Sequence, residues 1–239
     1  MINWLRILWI IILNFFNVPI WLYKISAMAK GKIKASAEER HHYLQKIIAK
    51  INKSGRISLK SSGIENLPFE KGYVLFPNHQ GFYDSLALIF SHPSSFSVVI
   101  KKEAASFILV KEVIALIKGI PVDRKNTREF VQVINTMTER VKNGDNFLIF
   151  PEGTRSKMGN RLLPMKAGAF KSAYNAKAPI VPTALIDSFK PLDEFGLKKA
   201  EVKVHFLPPL YYEEYKEMKT LEIAELVQNR IQAYIDKQI

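Results

Sequence analysis

Apolar residues along the chain fall into short continuous runs separated by segments of helical periodicity. YVLF (73–76), SVVI (97–100), NFLIF (146–150), PIVPTAL (179–185) and VKVHFL (202–207) are runs rich in β-branched and aromatic residues, and they predict strands. Segments 84–91, 103–118, 128–142, 166–175 and 221–236 predict helices. In 128–142, Phe130, Ile134, Met137 and Val141 share one face, with Asn126 or Thr127 placed to cap it. In 221–236 the stripe is Ile223, Leu226, Val227, Ile231 and Tyr234, with Thr220 as the cap candidate. Strands alternating with amphipathic helices predict an α/β fold, with a largely parallel sheet flanked by helices. In such sheets ligands gather at the strand ends.

The first 55 residues differ in character. ILWIIILNFFNVPIWLY, between Arg6 and Lys24, carries no charge but is interrupted by Asn14, Asn17 and Pro19, and proline kinks or ends a helix. Trp4, Trp9, Trp21 and Tyr23 suit the headgroup level of a bilayer. The reading favoured is an N-terminal membrane-associated helical segment broken within one leaflet. A single spanning helix remains an alternative, as does a signal peptide cleaved near Ala27-Met28-Ala29. Residues 38–51 predict an amphipathic helix with Tyr43, Leu44, Ile47, Ile48 and Ile51 on its apolar face. His41 and His42, adjacent on it, are read as surface residues rather than metal ligands. Asn52-Lys53-Ser54-Gly55 is a turn signal, which divides the chain into a helical anchor (1–55) and an α/β domain (56–239).

Charge sharpens that picture. The net charge is +13, and 1–60 contain eleven basic residues but only Glu38 and Glu39 as acids. The excess positive charge therefore sits beside the most apolar segment, which favours anionic lipid over nucleic acid. Aromatic-rich RNA motifs and helix-turn-helix signals are absent. The chain has no cysteine, which excludes disulfides, thiolate metal sites and a cysteine nucleophile.

Candidate chemistry lies where strands end. In YVLFPNHQGFYDSLALIF (73–90), Pro77 ends a strand and a helix starts near Asp84, which leaves His79 in the loop. A histidine there can act as a base near neutral pH, and Asp84 in the first helical turn can hold its ring. The bland alternative is Asp84 as a plain cap and His79 as a loop histidine. In NFLIFPEGTRS (146–156), Gly153 permits a tight turn whose amides can point at an anion, and Arg155 offers a planar fork suited to phosphate. Glu152 there either pairs with a cation or organises the turn. KGIPVDR (118–124) adds the basic residues Lys118 and Arg124 beside a turn. No G-x-S-x-G stretch marks a serine hydrolase, and no cluster at ligand spacing marks a metal site.

Taken in order, NHQGFYD (78–84), GIPVDR (119–124), FPEGTRS (150–156) and PIVPTAL (179–185) resemble the four motifs of the glycerolipid acyltransferase superfamily, in particular its bacterial 1-acyl-sn-glycerol-3-phosphate acyltransferases. The resemblance implies that His79 takes the proton of the sn-2 hydroxyl of lysophosphatidic acid while Asp84 holds His79. The oxygen then attacks an acyl thioester and phosphatidic acid forms. Glu152, Gly153, Thr154 and Arg155, helped by Arg124 and a lysine, would hold the acceptor phosphate. Lys101 in VVIKKEA resembles the family's lysine, although the family's Pro and Gly after that stretch are missing from ASFILVKEVIALIKG. The implied partners are membrane anionic lipids, lysophosphatidic acid and a donor thioester of acyl carrier protein or coenzyme A, with no cofactor. The implied location is the cytoplasmic face of a cell membrane. Three alternatives stand beside it: glycerol 3-phosphate as acceptor, another lysophospholipid as acceptor, or a catalytically silent lipid-binding protein.

Overall fold

The computed structural model describes residues 2–106, 108–123 and 126–239. Three helices come first: α1 (Trp4–Leu13), α2 (Asn17–Ala29) and α3 (Ala37–Ser54). The alternating part follows as β1 (Ile57–Ser62), β2 (Val74–Pro77), α4 (Asp84–Ser91), β3 (Ser97–Lys101), α5 (Ile108–Leu116), β4 (Ile120–Val122), α6 (Thr127–Lys142) and β5 (Phe147–Leu148). It continues through α7 (Ala167–Ala176), β6 (Ile180–Ile186), α8 (Lys190–Asp193), β7 (Ala200–Phe206), α9 (Tyr212–Tyr215) and α10 (Thr220–Asp236). Among the described residues the strands form a seven-stranded sheet in the order β1-β7-β6-β2-β5-β3-β4. Only the β6–β7 pairing is antiparallel.

The central strands are apolar throughout because both faces of the sheet are covered. Val74 and Phe76 of β2, Phe147 of β5 and Ile180 of β6 join the core under α6, α7 and α10. Their neighbours Leu75, Leu148 and Val181 join the opposite core, under α3, α4 and α5. The two-residue period of a strand thus divides one sequence run between two layers.

Two strands lay outside the predicted pattern, and both are edges. In β1, ISLKSS becomes progressively more exposed along its length, so no apolar run marks it. β4 has only three residues, one of them Pro121, which an edge strand tolerates. The predicted helix 103–118 is a 3-10 turn at Ala104–Ser106 followed by the shorter α5. Asn126 does cap α6, accepting from the amides of Arg128 and Glu129. Thr220, in contrast, is the first helical residue of α10; the carboxylate of Glu222 instead accepts from the Lys219 amide at 2.6 Å.

Pro19 does not break the N-terminal segment. It lies in the first turn of α2, where its missing N–H has no helical partner to lose. The break is at Asn14, whose side-chain amide donates to Ile10 O (2.9 Å) and Ser54 Oγ (2.8 Å), and α1 and α2 meet there at 92°. No single helix among the described residues is long and apolar enough to cross a membrane, although this bent pair passes by length and composition. α1 is tied to the body through Asn3 and Arg6. The Arg6 guanidinium donates to the carbonyls of Gly196 and Lys198, the latter at 2.6 Å.

His41 is buried, not on the surface as its sequence suggested. Its Nε2–H donates to the carbonyl of His92 at 2.9 Å, and only His42 is exposed. His92 is itself fully buried: Nδ1–H donates to Ser94 O at 2.6 Å and Nε2 accepts from Tyr73 at 2.8 Å. Burial pushes its pKa down to about 4, and the neutral ring satisfies both partners.

Phe76, three residues before His79, stacks on Phe170 of α7 with ring centroids 4.2 Å apart. Both rings are fully buried. Phe170→Ala is expected to cost about 3–5 kcal/mol, measured as a fall in the urea midpoint at unchanged slope.

Candidate active site

The site is built where β2 and β5 end side by side. Asn78 fastens the β2 exit to β6: its side chain donates to Leu185 O at 3.0 Å and accepts from Leu185 N at 2.7 Å. The next residue, His79, is then free to point its ring out of the sheet. That ring lies on Phe150 at 4.0 Å between centroids, and its Nδ1 is 2.7 Å from Asp84 Oδ2. Because Nδ1–H donates to the carboxylate, Nε2 is the nitrogen left with a lone pair in the neutral ring. The His79 side chain is 17% exposed and that of Asp84 is 0% exposed, so a buried acid backs a partly exposed base.

A buried carboxylate needs donors. Asp84 accepts from His79 Nδ1, the Gln80 amide (2.6 Å), the Gly81 amide (3.0 Å) and Ser188 Oγ (2.6 Å). The two amides belong to the turn that carries His79, so the same carboxylate shapes the loop and orients the ring. The reading of Asp84 as a plain helix cap is overturned: Tyr83 holds the cap position and Asp84 is the first residue of α4.

Glu152 organises the second turn. Its partners are main-chain amides, His79 N at 2.7 Å and Leu163 N at 2.9 Å, rather than the cation considered from sequence. Burial raises its pKa to about 7 against the lowering effect of the two amides, and the nearby Asp84 charge raises it further. Gly153 adopts φ 73°, a left-handed turn that glycine enters without strain. A Cβ there would sit 3.0 Å from Lys166 Nζ, so the lysine lies across the turn. Thr154 is exposed. Arg155 donates to Asp193 Oδ1 at 2.7 Å, and its guanidinium stacks 3.8 Å from the Phe82 ring. Asp193 Oδ2 also accepts from Phe82 N at 2.9 Å, which fixes Arg155 against the His79 loop.

The structure therefore gathers His79, Asp84, Glu152, Gly153 and Arg155 at one end of the sheet. Lys101 stands apart at the end of β3, its ammonium 3.0 Å from Glu103 on an exposed turn. Arg124 lies outside the described residues. Sequence reasoning missed Lys166, Asp193 and Ser188, each delivered to the site by a different segment.

The acyltransferase family profile matches residues 58–186. The chain is 33% identical over 175 residues to the chloroplastic 1-acyl-sn-glycerol-3-phosphate acyltransferase of Brassica napus, a match covering 72% of this chain and 50% of that protein. It is 31% identical over 172 residues to the 1-acyl-sn-glycerol-3-phosphate acyltransferase of Helicobacter pylori, covering 67% and 73%. The chain thus spans about half the length of the plant relative and most of the bacterial one. The crystal structure of the 1-acyl-sn-glycerophosphate acyltransferase from Thermotoga maritima superposes with a TM-score of 0.77 at 18% identity, over 99% of this chain and 95% of that one. At that identity the likeness establishes the fold.

The Glu152 environment has a measurable consequence. The native pKa of about 7 lies above the ordinary value of 4.5, so the folded state holds its proton more tightly than the unfolded chain. Stability from this group is complete below pH 4.5 and falls as pH rises through 7, by up to about 3 kcal/mol. Glu152→Gln has no such titration. Its melting temperature is therefore expected to rise relative to the parent's between pH 5 and pH 8, measured by calorimetry at both.

Proposed function

The chain belongs to the acyltransferase family, and we propose that it moves an acyl chain from an acyl thioester to the sn-2 hydroxyl of 1-acyl-sn-glycerol 3-phosphate, forming phosphatidic acid. The observation that carries this reading is the His79–Asp84 pair: a partly exposed imidazole, its Nδ1 held by a buried carboxylate. Nε2 takes the hydroxyl proton as the oxygen attacks the thioester carbonyl. The new C–O bond forms, the C–S bond breaks, and the proton passes from the imidazolium to the departing sulfur. Asp84 keeps its charge throughout and stabilises the imidazolium. The thioester is that of coenzyme A or of acyl carrier protein. Arg155, held by Asp193 and Phe82, faces the acceptor phosphate with the Gly153 turn and Thr154, and the family resemblance adds Arg124 and Lys101 as further positive charge for it.

The amphiphilic acceptor also gives α1 and α2 a role. Trp4, Leu8, Ile12, Phe15, Phe16 and Tyr23 are all more than half exposed. An α1 of ten residues is about 15 Å long, half of a hydrocarbon core of about 30 Å. We place the bent pair in one leaflet of an anionic membrane at its cytoplasmic face, with the basic residues of 24–60 toward the headgroups.

Thiol release from acyl-coenzyme A or acyl carrier protein, in vesicles with 1-acyl-sn-glycerol 3-phosphate, tests the chemistry. The chain has no cysteine, so a thiol reagent reads only the freed carrier. Release is expected to depend on the acceptor and to fall at least about 100-fold in His79→Ala. Release indifferent to the acceptor would make the protein a thioesterase instead. For the anchor, replacing Leu8, Ile12, Phe15 and Phe16 together by serine is expected to weaken binding to anionic vesicles more than about tenfold in flotation. The parent's binding should also weaken as salt is raised.

A further inference from the structure

We propose that Ser188 is a positioning residue for this reaction, holding Asp84 from the side opposite His79; this rests on the acyl-transfer reading of the site. Ser188 follows β6 and lies 104 residues from Asp84 in sequence, yet its Oγ is 2.6 Å from Asp84 Oδ1 and the residue is fully buried. His79 occupies Oδ2 and Ser188 occupies Oδ1, so the carboxylate is gripped from both ends. Gln80 Oε1 lies 2.9 Å from Ser188 Oγ, but it already accepts the Ser188 amide at 2.9 Å. The single hydroxyl proton goes to the shorter, charge-assisted bond with the carboxylate.

The backbone around Ser188 is arranged to deliver that hydroxyl. Asp187 has φ 60°, in the left-handed region that few side chains adopt and that Asp enters by hydrogen-bonding locally. Two side chains hold it there through three contacts. Asn160 Oδ1 accepts from the Asp187 amide at 2.9 Å, Asn160 Nδ2 donates to Asp187 Oδ1 at 3.0 Å, and Lys190 pairs with Asp187 Oδ2 at 2.8 Å. Gln80 closes the ring, since its Nε2 donates to Asn160 Oδ1 at 2.8 Å while its Oε1 takes the Ser188 amide. A left-handed residue fixed by so many contacts turns the chain back beneath Asp84. A surface turn leaving β6 has no need of this. The other charged groups around Asp84 are Glu152, from the turn after β5, and Asp193, from α8 with Arg155 on it. Neither is a donor to Asp84 Oδ1.

The test compares Ser188→Ala with Ser188→Thr, which keeps the hydroxyl, in the full chain on vesicles. In the alanine variant kcat is expected to fall about tenfold with KM for both substrates within about twofold, and threonine restores it. The downfield proton resonance of His79 Nδ1–H, identified by its loss in His79→Ala, is expected to move further downfield in Ser188→Ala, because more negative charge then faces the ring. Should the alanine variant not fold, Ser188→Cys, a much weaker donor, takes its place in the same comparison. The proposal is overturned if kcat is unchanged, if the loss appears in KM alone, or if the resonance stays where it is in the parent. The resonance is read without substrate. A parent protein with no transfer activity would therefore overturn the acyl-transfer reading, while the Ser188–Asp84–His79 coupling would still be decided by the spectrum.

Discussion

A negative charge sits at the end of the sheet with no exposure to water. Asp84 replaces its lost hydration with donors from His79, Gln80, Gly81 and Ser188. Leaving such a group unpaired in the interior would be far more costly than any single contact around it is favourable. The donors therefore have little freedom. The 79–83 loop must curl so that two amides point inward, and the β6 exit must turn back through a left-handed residue. The imidazole has one orientation compatible with donating. The geometry needed by a base thus follows from the solvation of an acid.

A second constraint is the two-faced sheet. β2 and β5 are parallel neighbours; β2 ends on Pro77, and the run after β5 reaches Pro151 three residues beyond it. The two chains leave the sheet at its same end, which brings the His79 and Glu152 turns together. Glu152 makes the link explicit by accepting the His79 amide. The two turns are consequently one structure, and Arg155 is braced through Asp193 to the same loop at Phe82.

Much of this was legible in the sequence, for identifiable reasons. β2, β5 and β6 stood out because burial on both faces demands unbroken apolar runs. The His79–Asp84 spacing was readable because both residues lie in one local turn. β1 and β4 were not readable, since an edge strand needs no such run. His41 was misread because its polarity hid a main-chain acceptor, the His92 carbonyl, that lies 51 residues away. Ser188, Asp193 and Lys166 left no local signal at all. Their partners Asp84, Arg155 and Gly153 are brought close by the order of strands in the sheet, and pattern along the chain does not encode that order.

The fastening of α1 has a consequence in time. Asn3 and Arg6 are synthesised before the carbonyls they bind, at Pro191, Gly196 and Lys198, which follow about 190 residues later. At about 5–20 residues per second that is an interval of about 10–40 s. Throughout it the apolar face of α1 and the Arg6 charge lack their final partners, with only α3 arriving early through the Trp9 and Asn14 contacts to Ser54. The clip between the first helix and the α8–β7 loop is therefore among the last contacts to close, and it registers that the chain between them has been made and folded.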